Sequence, residues 1–443
     1  MRNIVLITFD SLRADHCSFM GYTRNTTPTI DKMARKGLCF RNAVASGVPT
    51  FPSLVGIFTG DYSLNDSLSG DIEEAEKWRE ELACRRTLPQ ILRRKGYDTA
   101  GIHGNPWASR FYGFNKGFNF FQDFIETGKS SFKFSFIKNF GFIRNFYSFY
   151  SNLLNYLKEE SCFITWRKIY PYIIEWLSKA KEPYFLWILL VDTHLPYIPP
   201  KEYRVFGTRS TLNLLYVNWR LWKDWRIRKQ TYYLIEDRMY KKSFNSNLNT
   251  KIIDAYDSSI YFSDKFVKEL WNDIKDTDPI IIITADHGEG FGEHGFWYHP
   301  PMLYEELIHV PLVIFNADIK GERDDSVSLV ELAPTILDLV GIDNEFQSKS
   351  LLNEERKYSI SKIFVNNKRR IAVRTNNWKL ILGQKHGNEL YDLRKDPKEQ
   401  INLIDEHRDI EKELKIIVRN HIKRELEARS IREIVSKVKR EII

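Results

Sequence analysis

The chain alternates between short, uninterrupted apolar runs and longer stretches in which apolar residues recur at helical spacing. The clearest runs are Ile4-Val5-Leu6-Ile7-Thr8-Phe9, Tyr184-Phe185-Leu186-Trp187-Ile188-Leu189-Leu190 and Ile280-Ile281-Ile282-Ile283-Thr284-Ala285, the last with Pro279 at its start. None shows the two-residue alternation of a half-exposed strand, so they read as strands buried on both faces, as in a parallel sheet covered by helices. Each run breaks into polar residues at its carboxyl end: Asp10 after the first, Asp192-Thr193-His194 after the second, and Asp286-His287-Gly288-Glu289 after the third. In open α/β sheets that edge is where ligands bind.

The pattern changes toward the C-terminus. Arg370–Arg374 and Trp378–Leu382 flank Thr375-Asn376-Asn377 as the two arms of a hairpin, which predicts a small antiparallel sheet. From Ile410 onward, apolar residues fall at three- and four-residue steps and predict one or two amphipathic helices. Asp257 and Asp264, seven apart on an amphipathic pattern, read as helix positions rather than ligands.

The expected architecture is an α/β fold. Residues 1–345 form a catalytic domain with a large mixed, mostly parallel sheet between helix layers, 346–403 a small C-terminal subdomain, and 404–443 a helical tail suited to docking on the body or to a homo-oligomer contact. Aromatic, basic stretches near 129–160 and 204–250 read as insertions. The second carries Trp219, Arg220, Trp222, Lys223, Trp225, Arg226, Arg228 and Lys229, so packing on the main domain competes with a lid over an anionic substrate.

Composition narrows the setting. At 443 residues and 43% hydrophobic, the chain can bury one large core and a smaller one. Cys17, Cys39, Cys84 and Cys162 form no C-x-x-C pair and suggest free thiols in a reducing compartment. No apolar run approaches the ~20 residues needed to span a bilayer. Polar candidates begin within ten residues of the start and leave no room for a secretory signal, so the expected location is cytoplasmic. The formal charge of +8 suits an anionic small-molecule or glycan ester. Basic and aromatic residues interleave, but no recognised nucleic-acid module accompanies them, and no nucleic-acid partner is expected.

The polar residues at the sheet edge set the chemistry. Two carboxylates, Asp10 and Asp286, with the His287 imidazole and the Thr50 hydroxyl make an oxygen-rich set suited to Mg, Mn, Ca or Zn. Threonine alone is a poor nucleophile at neutral pH, and a cation or base beside it changes that. Taken alone, Asp10 reads as a helix N-cap more readily than as a ligand, Thr50 fits a turn or N-cap position, and Asn105 before Pro106 reads equally as a turn residue.

Several segments in order resemble the sulfatase family of the alkaline phosphatase superfamily. They are Phe9-Asp10-Ser11-Leu12-Arg13-Ala14-Asp15-His16, Thr50-Phe51-Pro52-Ser53 with Thr59-Gly60, Asp286-His287-Gly288-Glu289, and Tyr304-Glu305-Glu306 with Val310-Pro311-Leu312. Glu331–Leu337, Ala372–Leu380, Glu389–Leu393 and Asp396-Pro397 extend the resemblance to about residue 403. It implies that Asp10, Asp286 and His287 are metal ligands and Thr50 both ligand and nucleophile. His194, in a His-x-Pro-Tyr segment, would contact a substrate oxygen, and His299 would protonate the leaving group, with His294 a weaker candidate. A second metal on Asp192, His194 and His299 is the alternative to a single ion.

The departures from the family are informative. Formylglycine sulfatases carry Cys or Ser where this chain has Thr50, and Arg where it has Leu54; Thr cannot become that aldehyde. Ser11 replaces their second Asp. Gly101-Ile102-His103-Gly104-Asn105-Pro106-Trp107 looks more like the Asn-containing loop of nucleotide pyrophosphatase/phosphodiesterases, which makes Asn105 a candidate oxyanion donor. His103 itself reads as a packed or hydrogen-bonding residue. The expectation is a metal-dependent hydrolase of phosphate or sulfate esters with a Thr50 nucleophile, phosphate favoured. The alternatives are a phosphotransferase moving a phosphoglycerol- or phosphoethanolamine-type group to a glycan or lipid, and a non-catalytic binding protein on the same fold.

Overall fold

A computed structural model of the chain describes residues 1–64, 72–124, 164–207, 209–232, 244–365, 368–383 and 387–442. The stretch expected to be an insertion at 129–160 and Cys162 lie outside these residues, as do the side chains of Trp222, Lys223, Trp225, Arg226, Arg228 and Lys229.

The strands in chain order are β1 (Ile4–Phe9), β2 (Leu38–Val44), β3 (Asp98–His103), β4 (Phe120–Gln122), β5 (Tyr184–Leu190), β6 (Ile280–Ala285), β7 (Gly290–Phe291), β8 (Trp297–Tyr298), β9 (His309–Phe315) and β10 (Gly321–Ser328). Four more, β11 (Ser359–Val365), β12 (Lys368–Arg374), β13 (Trp378–Leu382) and β14 (Glu389–Asp392), follow. Among the described residues the main sheet has eight strands in the order β10-β2-β9-β6-β1-β5-β3-β4. All pairings are parallel except those of β9 with β2 and β6, which is the mixed, mostly parallel sheet expected.

The three apolar runs occupy the sheet's centre, and every residue of β1, β5 and β6 is buried. Side chains of one strand point alternately to both faces, so this burial requires cover on both. Helices Thr50–Thr59, Leu88–Arg94 and Leu332–Leu339 pack with one another, and Pro28–Lys36, Trp166–Leu177 and Ser246–Ile274 form a second group. β1 lies between β5 and β6 with Phe9 opposite Leu190 on one side and Ala285 on the other. Asp10, the residue after β5, and Asp286 therefore emerge together at one edge.

β11 to β14 make a separate antiparallel sheet, with the expected hairpin between β12 and β13. The helix Arg408–Ile442 docks on this sheet, with Leu414 and Val418 buried beside Tyr62, Ile360, Ile371, Val373 and Leu390. The fully buried Lys362 of β11 reaches Glu425 on that helix. Asp257 and Asp264 are helix residues, as expected from their spacing. Asp257 bonds His16, Tyr22 and Arg24, and Asp264 accepts the backbone N–H groups of Thr29 and Ile30 at a helix N-terminus. Cys17, Cys39 and Cys84 are free thiols. No helix among the described residues is long and apolar enough to cross a membrane.

Candidate active site

Asp10 and Asp286 leave adjacent parallel strands at the same rung, so the sheet ladder sets the spacing of their carboxylates. The ladder continues past the strands through Asp10 N–H to Leu190 O at 2.8 Å and Asp286 N–H to Phe9 O at 3.1 Å. Ser11 then turns into the left-handed region, with φ at 65°, where a non-glycine residue needs support from its surroundings. Its N–H donates to Asp286 Oδ1 at 3.1 Å and its hydroxyl to Asp10 Oδ1 at 3.1 Å. Where formylglycine sulfatases place a second Asp, this chain thus has a neutral bridge between two carboxylates.

His287 follows Asp286, and its Nδ1–H donates to Gly288 O at 2.8 Å. That bond fixes the tautomer and turns the Nε2 lone pair toward the carboxylates, the arrangement of a metal-ligating histidine. Ligand atoms of Asp10, Asp286 and His287, all three buried, lie within 4.8 Å of one another. Thr50 opens the helix Thr50–Thr59, which ends at Gly60 in the left-handed conformation. Its hydroxyl stands 3.4 Å from His287 Nε2. Packing against Gly47 and Gly56 fixes this helix: a Cβ on Gly47 would lie 2.7 Å from Lys362 O, and one on Gly56 2.1 Å from Ser46 Oγ. The Ser53 hydroxyl ties the same turn to Asp286 O.

This site fits a cation. Asp286 Oδ2 is enclosed with no hydrogen-bond partner, a costly state for a buried carboxylate oxygen that coordination would relieve. Burial pushes the Asp286 carboxyl up to about 7 and raises that of Asp10, with His194 opposing the shift at Asp10. Burial and the neighbouring His299 hold the His287 imidazole down at about 4, so it is neutral and able to ligate.

Asn105 is drawn into the same cluster. Its Nδ2–H donates to Asp10 Oδ2 at 2.6 Å, while its Oδ1 accepts Trp107 N–H at 2.7 Å and caps a short helical turn. The turn role left open by the sequence is thus observed, and the same amide lies against the Asp10 carboxylate. His103 is buried against Phe121 and Trp187, and its Nδ1 accepts Asn105 N–H at 3.2 Å.

The His299 ring lies tilted against two others, 4.6 Å from His287 and 5.1 Å from His194, ring centre to ring centre. His194 donates from Nδ1 to Leu195 O at 2.6 Å. The structure adds a residue that sequence reasoning missed. Glu289, fully buried, places Oε1 3.1 Å from His299 Nδ1 and accepts the Tyr197 hydroxyl on Oε2 at 2.9 Å. Burial raises the Glu289 carboxyl to about 7 and, together with His194, lowers the His299 imidazole to about 3. Its signal was its place three residues after Asp286, on the same strand end.

Two expectations are corrected. Asp192 does not join His194 and His299 as a second metal site. Its carboxylate takes the N-terminal N–H of the helix Trp166–Leu177, at 3.1 and 3.3 Å from Trp166 N, because the chain turns away from the edge at that residue. His294 bridges Glu306, at 2.6 Å, and the Glu399 carbonyl, at 2.9 Å, and so ties the main sheet's loops to the C-terminal segment.

The Thr50 hydroxyl, at a helix N-terminus, thus faces a buried cluster of two carboxylates and an imidazole on a mixed sheet covered on both faces. The sulfatase family profile matches residues 2–342, and that of the N-sulphoglucosamine sulphohydrolase C-terminal region matches 292–428. The chain belongs to the sulfatase family. An arylsulfatase of Clostridium perfringens is 26% identical over 91% of this chain and 90% of its own length. An N-acetylglucosamine-6-O-sulfatase of Bacteroides thetaiotaomicron is 24% identical over 90% and 82%. The crystal structure of the phosphonate monoester hydrolase of Agrobacterium radiobacter superposes with a TM-score of 0.68 at 18% identity, over 98% of this chain and 96% of that one.

Proposed function

We propose that this sulfatase-family protein is a metal-dependent hydrolase in which Thr50 attacks the acid centre of an anionic ester, with phosphate esters favoured over sulfate esters. The observation that carries the reading is the Thr50 hydroxyl 3.4 Å from His287 Nε2, beside the unpartnered Asp286 Oδ2. A divalent cation bound by Asp10, Asp286, His287 and Thr50 would acidify the hydroxyl and neutralise charge on the ester oxygens.

The chain's own groups divide the remaining work. Thr50 gives its proton to solvent as Oγ1 bonds to phosphorus or sulfur, and the bond to the leaving oxygen breaks. His299 delivers a proton from Nε2 to that oxygen while its Nδ1 takes one from the Glu289 carboxyl, so the pair acts as a relay. The second N–H of Asn105 Nδ2 and the ring of His194 hold the non-bridging oxygens. Water then attacks the same centre, one of its protons returning through His299 to Glu289 and the other passing to Oγ1 as that bond breaks, so Thr50 and the relay are restored.

The preference for phosphorus rests on Thr50 and Leu54. A formylglycine hydrate expels sulfate by collapsing to the aldehyde, whereas a threonine ester must be cut by water at the acid centre. In the phosphonate monoester hydrolase a shared fold accompanies chemistry at phosphorus, and in the C. perfringens relative a sulfatase name accompanies a related sequence. The free thiols of Cys17, Cys39 and Cys84 support a reducing, cytoplasmic setting.

The test is metal analysis of unstripped protein, then turnover of matched aryl phosphate diester, phosphate monoester and sulfate, with Thr50→Ala as control. Sulfate turnover far above both phosphates would sink the substrate preference. Undiminished activity of Thr50→Ala would sink the nucleophile.

A further inference from the structure

We infer that Asn218, on the helix Thr211–Tyr232, is a positioning residue for the Glu289–His299 pair and acts on it through Tyr197. The inference rests on the reading that His299 protonates the leaving group.

Asn218 is buried to 2% exposure, on the helix face that also buries Leu214, Val217 and Leu221. Its amide reads the Tyr197 backbone in both directions: Oδ1 accepts Tyr197 N–H at 2.8 Å, and Nδ2 donates to Tyr197 O at 2.9 Å. Nδ2 also donates to Leu214 O at 2.9 Å, which anchors the side chain to its own helix. Tyr197 is itself buried, and its hydroxyl donates to Glu289 Oε2, whose other oxygen faces His299 Nδ1. An unbroken series of polar contacts therefore runs from this helix to the imidazole.

The same helix grips His299 from the other side. The Tyr298 hydroxyl donates to Leu221 O, one turn along from Asn218, and Tyr298 is held at a φ of 68° immediately before His299. A bulky residue reaches that conformation only when its surroundings impose it. The loop carrying His194 and Tyr197 and the loop carrying His299 are thus both fastened to one helix face. Proton delivery needs a donor held to about half an ångström, and a displacement of about 1 Å can cost up to about 10²-fold. Asn218 and Leu221 O fix that placement without touching the reacting atoms.

The experiment compares wild type, Asn218→Ala, Tyr298→Phe and His299→Ala on esters whose leaving alcohols run from p-nitrophenol to methanol, using whichever acid the enzyme hydrolyses. Readouts are kcat/KM, metal content and melting temperature. Protonation matters little when nitrophenolate leaves and greatly when methoxide must, so a positioning defect tilts the series. Asn218→Ala and Tyr298→Phe should stay within about twofold of wild type on the p-nitrophenyl ester and fall at least about tenfold on the methyl ester, a fraction of the ~10²- to 10⁴-fold range of general acid catalysis. Metal content should not change.

An equal loss across all esters, or no loss, beside a tilted series for His299→Ala would overturn the inference. A flat series for His299→Ala would overturn the leaving-group role itself, and this inference with it. Tyr197→Phe keeps the buried ring and removes only the hydroxyl that carries the route from Asn218 to Glu289, so it decides the matter if Asn218→Ala does not fold: the same tilt is expected, and its absence would overturn the inference.

Discussion

Asp286→Asn should stabilise the protein in chelator while removing its activity. Asp286 Oδ1 accepts two backbone N–H groups, Ser11 at 3.1 Å and His287 at 2.7 Å, and an Asn carbonyl can keep both. Its Nδ2 replaces Oδ2, the oxygen that has no partner. Burial above all raises the Asp286 carboxyl from 3.8 to about 7 in the cation-free protein. A folded-state value above the unfolded one means that the group's contribution is fully present below pH ~3.8 and is lost as pH rises toward and through about 7. Three units at about 1.4 kcal/mol each make that loss about 4 kcal/mol at pH 8. For a chain of this length, about 4 kcal/mol corresponds to roughly 4 °C in Tm. Calorimetry in chelator should therefore place Asp286→Asn above wild type at pH 8, with the gap growing from pH 5 to pH 7 and levelling off beyond. Added divalent cation should narrow that gap by more than half, since occupancy at about a hundred times Kd stabilises wild type by about 2.7 kcal/mol and the variant far less. A variant less stable than wild type in chelator at pH 8, or one with an equal response to cation, would refute the account.

Thr50→Ala should lose at least about 10³-fold in kcat with its melting temperature nearly unchanged, while Thr50→Ser keeps measurable turnover; single-turnover kinetics distinguish them. Lys379→Met removes a buried ammonium from Glu399, at 2.8 Å, and Glu305, at 3.1 Å, and should cost about 3–5 kcal/mol in urea unfolding; a loss below about 1 kcal/mol would show that the pair is not a structural tie. Gly47→Ala forces a Cβ to 2.7 Å from Lys362 O and 3.0 Å from Pro52 Cβ. The loop before Thr50 must shift, and turnover of the best ester should fall about tenfold through misplacement of the hydroxyl, read as kcat against an unchanged metal content.

Much of this site was legible because it hangs on strand ends. Apolar runs closed by Asp10 and Asp286 announce both the central strands and the edge to which they deliver, and the left-right order of the strands does not alter that delivery. What stayed hidden depends on side-chain direction. Asp192 has the residue type of a ligand, yet its carboxylate takes the Trp166 N–H instead. Glu289 looked like part of a motif, and only the fold brings His299 and Tyr197 to its two oxygens. Asn105 read equally as turn and site, and its amide caps the turn at one end and meets Asp10 at the other. Asn218 gave no signal, since a polar residue on a helix with tryptophans at every third position reads as solvent-facing until its partner backbone is known.

The common rung from which Asp10 and Asp286 depart has a consequence for the folding of the chain. β1 is among the first segments of the sequence and β6 lies far along it, so their pairing is a contact of long sequence separation, the kind that forms late and limits folding rate. Side chains brought together only by that pairing cannot grip a cation in a partly folded chain, and a register slip of one residue would point one carboxylate to the opposite face. On the proposed metal-dependent reading, cation retention on a desalting column is therefore a test of finished topology. It would separate chains whose central ladder has closed from compact ones that have the right helices and the wrong seam.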